Sequence, residues 1–96
     1  MNKHLVLLFS LFLTCFSIGQ SRIDTLVILG IQYHGEGEYD KAIRIYQSAL
    51  ELEPNSPLVN YEIAFSYMMK KDYHRSLYHI DKVIEADSLY LIHAYT

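Results

Sequence analysis

The stretch that decides the fold is Leu26–Pro54, LVILGIQYHGEGEYDKAIRIYQSALELEP. Leu26, Leu29, Gly30 and Tyr33 recur at i, i+3, i+4 and i+7, so they share one face of a helix. Gly35-Glu36-Gly37 breaks that helix. Ala42, Ile43, Tyr46, Ala49 and Leu50 then trace the same stripe on a second one. Pro54-Asn55 stops the second helix and turns the chain. The predicted unit is helix, turn, helix.

The unit recurs. Laying residues 23–56 over residues 57–90 gives an offset of 34. Tyr33 falls on Tyr67, Tyr39 on Tyr73 and Glu51 on Glu85. Residue class is kept between Leu29 and Ile63, Gly30 and Ala64, Lys41 and Arg75, Ile43 and Leu77, Leu50 and Ile84, and Glu53 and Asp87. In the second unit Ile63, Ala64 and Tyr67 carry the first helix and Lys71-Asp72 the turn. Leu77, Ile80, Val83 and Ile84 carry the last helix. Leu91–Thr96 reads as the start of a third unit that is cut short, with the chain a piece of a longer array or the stub covering the second unit. An end of that kind would leave an apolar face open to self-association.

This pattern resembles the tetratricopeptide-repeat family, W-x2-L-G-x2-Y, then A-x3-F, then P, on a 34-residue period. Leu29, Gly30, Tyr33, Ala42 and Pro54 match it as they stand. Leu26 occupies the tryptophan position, Tyr46 the phenylalanine position, and Ala49 is the small residue also favoured there. In the second unit Asn60, Ala64, Ser76, Ile80 and Ser88 replace the tryptophan, glycine, alanine, phenylalanine and proline. Asn60 departs in size class and is expected to face outward or toward the preceding unit. The resemblance covers residues 23–90. It implies an all-α fold, helix-turn-helix repeats forming a short right-handed α-solenoid, with small residues at Gly30 and Ala42 letting the helices of a hairpin approach.

The resemblance also implies a function. First helices of the family line a concave groove that binds extended or helical peptides. It places Val27, Ile31 and His34 of the first unit, and Tyr61, Phe65, Met68 and Met69 of the second, toward that groove. Aromatic and methionine side chains there suit an adaptable apolar contact with a protein or peptide. The alternative is that a neighbouring repeat or the leader covers the same surface. The Lys and Asn clamp with which some members hold a C-terminal carboxylate is absent: Val27, Ile31, Tyr61 and Phe65 stand at the matching positions.

The first 20 residues differ from the rest. Lys3 gives a positive start, and Leu5–Ile18 is a run of 14 residues without charge. Ser17 and Gly19 place small residues at a cleavage site, so residues 1–20 read as a signal peptide. The run is shorter than the roughly 20 residues of a membrane span, against an uncleaved anchor, which would be the chain's one membrane contact. Leu13 and Thr14 before Cys15 disfavour lipidation, and the run has no polar face for a core helix. Without the leader the chain holds no cysteine and sets seven Lys/Arg against eleven Asp/Glu, a net charge of -4. An acidic, cysteine-free exported domain fits a bacterial envelope or periplasm better than a disulfide-stapled secreted one.

Composition and motifs argue against other chemistries. The whole chain carries a net charge of -3, which disfavours nucleic acid. There is no G-x-S-x-G, P-loop or G-x-G-x-x-G, and no cofactor is implied. His74 and His79 are five apart, off a shared helix face, and His34 and Glu36 flank a glycine in a turn, so no metal is expected. Surface positions are the expectation for these histidines. The function expected is an exported protein-interaction module without catalysis. The competing reading is the N-terminal sensing or scaffolding part of a larger envelope signalling or assembly protein.

Overall fold

The computed structural model describes the backbone of residues 21–95 and the side chains of residues 21–88. Four helices follow one another: α1 over residues 21–35, α2 over Tyr39–Leu52, α3 over Pro57–Met69 and α4 over Tyr73–Tyr95. They form two hairpins, α1–α2 and α3–α4, stacked in the 34-residue register, an all-α helical-repeat solenoid. The signal peptide expected for residues 1–20 lies outside the described residues.

Both hairpins turn by the same device. The Glu38 amide donates to the Tyr33 carbonyl (2.9 Å) and the Gly37 amide to that of His34 (3.0 Å). Thirty-four residues on, the Asp72 amide donates to Tyr67 (2.9 Å) and the Lys71 amide to Met68 (2.9 Å). This paired pattern closes a helix when its next residue is left-handed. Gly37 supplies that conformation without strain at φ 78°, whereas Lys71 holds φ 65° with a side chain attached. Lys71→Gly therefore raises the unfolding free energy by roughly 1 kcal/mol. A denaturation curve showing no gain, or a loss, contradicts this reading of the turn.

The helix starts are capped locally. Ser56 accepts a hydrogen bond from the Val59 amide (3.3 Å) and Pro57 opens α3, where a missing amide costs nothing. Asp72 accepts from the Arg75 amide (3.3 Å) and pairs with its guanidinium (2.7 Å), which holds the carboxyl below its usual range. At α2, Glu38 makes no side-chain cap and instead pairs with Lys41 (3.0 Å).

The core lies where α3 crosses the first hairpin. Val27, Ala42, Ile43, Tyr46, Ala49, Val59, Ile63 and Tyr67 form one buried cluster, with Ile23, Leu26, Tyr33 and Leu50 packed on its rim. Gly30 faces the Tyr46 ring so closely that a Cβ there would lie 2.3 Å from Cε1. In the second hairpin the approach is kept by Ala64 and Ser76, whose hydroxyl donates to the Ala64 carbonyl (2.9 Å).

Two expectations need correction. Helix α4 runs unbroken from Tyr73 to Tyr95, so residues 91–95 continue the last helix of the second unit rather than opening a new one. Ser88 stands where Pro54 stops α2, and serine keeps the amide that proline lacks. His34 belongs to the final turn of α1, not to the loop after it.

Candidate functional site

The seven residues assigned to the groove do not all share a surface. Val27 is buried beneath α3 as part of the core, which removes it from any binding face. Its position on the helix was legible, but not that the next unit would cover it. Ile31, Phe65, Met68 and Met69 are exposed. His34 and Phe65 bring the two first helices together, their rings stacked with centroids 4.6 Å apart. Tyr39 meets the His34 ring edge-on at 5.0 Å. His34 Nδ1 shares a hydrogen bond with the buried Ser66 hydroxyl (2.8 Å), which fixes the ring. The strip Ile31–His34–Phe65 with the two methionines is thus one surface across α1 and α3.

Tyr61, Phe65 and Met68 face toward α4 as well. With Ala64, Ser76 and Ile80 they line a shallow depression of about 100 Å³. Helix α3 presents apolar side chains on nearly every side: Val59, Ile63, Ala64 and Tyr67 inward, Leu58, Tyr61, Phe65, Met68 and Met69 outward. A helix apolar all round is normally covered on all sides.

Two polar side chains join the units, Asn60 on the inward one of its two expected sides and His79 away from its expected surface position. Asn60 is buried and faces the preceding unit: its amide donates to the Ser56 carbonyl (2.9 Å) and the Pro54 carbonyl (3.3 Å). That leaves Oδ1 as acceptor, so His79 Nδ1 carries the proton and donates to it (2.9 Å). His79 also stacks on Tyr67 at 5.7 Å. It is a half-buried structural residue rather than a surface one, and so is His34. No single-residue signal marks either; the polar residue at the tryptophan position was the one hint.

Burial depresses the pKa of His79, aided by the nearby charge of Lys82. Its neutral form is the folded one, so the unfolded chain binds the proton more readily. Stability from this site is full above the ordinary imidazole pKa near 6.5 and falls as pH drops through that value toward the folded pKa. Between pH 7.5 and 5.5 the urea midpoint of the wild type should fall more steeply than that of His79→Gln. Parallel curves for the two proteins would contradict it.

Other charges shape the surface. Lys70 pairs with Asp40 across the two units and lowers the Asp40 pKa. Burial raises the Glu62 pKa, opposed by His34. Tyr46 is pushed up to about 12 by burial, then by the Glu62 charge, and its hydroxyl has no hydrogen-bond partner among the described residues. Among the described residues no three His, Cys, Asp or Glu side chains form a metal-binding group. No helix there is long and apolar enough to cross a membrane.

Hairpins nested in register, with an apolar helix open on its outer sides, define a helical-repeat interaction module. Residues 30–71 match the TPR repeat family. Intraflagellar transport protein 70A of Bos taurus is 31% identical over 67 residues, 70% of this chain and 10% of that protein. Intraflagellar transport protein 70B of Homo sapiens is 30% identical over 67 residues, with the same shares. The chain carries tetratricopeptide-type repeats. It spans about 10% of the length of these curated relatives.

Proposed function

We propose that this chain is an exported interaction module that binds a protein or peptide segment across the first helices, without catalysing a reaction. The observation that carries this reading is the strip of Ile31, Phe65, Met68 and Met69, exposed beside the fixed His34 ring. Exposed aromatic and thioether groups on a rigid helix pair supply adaptable apolar contact at low ordering cost. Tyr61 extends the strip toward the open end of the second hairpin. Support for export is the leader itself: Lys3, the uncharged run Leu5–Ile18 and the small residues Ser17 and Gly19. The compartment proposed is a bacterial periplasm or cell envelope.

The test is capture of a partner from an envelope fraction by the chain and by Phe65→Ala. Truncating an aromatic anchor should weaken binding of the captured partner at least about tenfold. Helical circular dichroism should be unchanged, because Phe65 is outside the core cluster. Equal binding by both proteins contradicts the groove. Intact mass of the exported protein reports separately on cleavage after Gly19 or Gln20.

A further inference from the structure

The 34-residue register allows the two units to be compared surface for surface. In the first unit α3 covers the end of the hairpin; in the second nothing among the described residues covers the same end. Val27 is 6% exposed and its counterpart Tyr61 53%; Ile43 is 5% exposed and Leu77 61%. Ile84, counterpart of the half-buried Leu50, is exposed too. The covering element has an uncovered counterpart of its own. Helix α1 is the register equivalent of α3, and its residues matching the buried Val59, Ile63 and Ser66 are Thr25, Leu29 and Gln32, all exposed.

The two open faces match pair by pair. At the covered junction Glu62 lies close enough to Tyr46 and His34 to exchange charge effects with both. Its counterpart on α1 is Ile28, 67% exposed, and the counterparts of Tyr46 and His34 are Ile80 and Met68. The polar trio has become an apolar one on both sides at once. Lys70 pairs with Asp40 at the covered junction; Glu36 and His74, a carboxylate and an imidazole able to share a hydrogen bond, occupy those places at the open faces. The Gln47 amide donates to the Tyr67 hydroxyl (3.5 Å); the counterparts are Asp81 and Tyr33, a carboxylate to match a hydroxyl donor.

We propose that a second copy of this chain docks head to tail, laying α1 on the open α3–α4 face as α3 lies on α1–α2. The junction continues an interface the chain already makes within itself. It is heterologous, so each copy keeps one free face of each kind. Growth then continues as an open superhelix unless the rotation closes a ring.

Sedimentation velocity of the full chain over a concentration series tests this, with Ile28→Glu and Leu77→Glu. Both positions are well exposed, so the variants should keep the helical content of the wild type. The wild type should grow beyond a dimer with concentration. Each variant alone should remain a monomer, because every junction needs one of each face. An equimolar mixture of the two should form a dimer and stop there, each variant offering the face the other lacks. A wild type that stays monomeric overturns the proposal. So does association that survives both variants, as contact through residues 5–18 would, or that is lost with Leu77→Glu alone, as in a face-to-face dimer. Tyr61 and Met68 belong to both surfaces, but Phe65 matches Ile31, which stays exposed at the covered junction, so Phe65→Ala should leave the association in place and separates this result from the groove test.

Discussion

Gly30→Ala should lower the unfolding free energy by about 2 kcal/mol, although alanine is the better helix former by about 1 kcal/mol. The new Cβ would lie 2.3 Å from Cε1, 2.7 Å from Cδ1 and 2.8 Å from Cζ of Tyr46. These are atoms of a rigid ring that is wholly buried and ringed by Ala42, Ile43, Ala49 and Ile63, so it has nowhere to retreat. Separating α1 from α2 would instead open the core. The second unit shows how the contact is built with a larger residue at this place: Ala64 stands for Gly30 and Ile80 for Tyr46. Adding a methyl group goes with removing a ring. Gly30→Ala combined with Tyr46→Ile should therefore cost less than the sum of the two single changes. A positive coupling of about 1 kcal/mol in a urea double-mutant cycle is the expected result. Additive effects would mean that the two residues do not touch.

Ile63→Ala should cost about 3 kcal/mol, within the range for deleting a fully buried aliphatic side chain. Ile63 belongs to α3 yet sits in the same cluster as Val27, Ile43 and Tyr46 of the first hairpin. Its loss leaves a void between units, which neither hairpin can fill without shifting the other. Leu29 is the internal control, since it holds the same register position and is exposed. Leu29→Ala should cost under about 1 kcal/mol in the same assay. Similar costs at the two positions would show that the units do not share a core. Because two units bury little, a loss of about 3 kcal/mol removes a large part of the stability, and the transition should move to markedly lower denaturant.

The register was legible because it is written in backbone needs. Tyr33 and Tyr67 sit close to the end of each first helix, and Gly37 and Lys71 take the left-handed place after it. Gly30 and Ala42 are small because another helix presses on them. What covers a face was less legible. Val27 and Tyr61 share a helix position and differ only because α3 lies on one and nothing described lies on the other. Sequence periodicity identifies a face but not its neighbour. The pairing of Asn60 with His79 was not legible for another reason. Asn60 stands out at the tryptophan position but does not name its partner, and the hydrogen bond joining it to His79 spans 19 residues and an intervening turn. The long α4 follows from a missing stop signal at Ser88, which is weaker to read than the presence of Pro54.

The most direct measurement of the stacked-hairpin arrangement is a proton nuclear Overhauser spectrum of the chain in solution. The Gly30 Hα protons should give strong cross-peaks to the Tyr46 ring and shift upfield in its ring current, while Ile63 methyls contact Val27 and Ile43. Strong helical signals without those cross-peaks would mean helices that do not nest, and would contradict the stacking of the two hairpins.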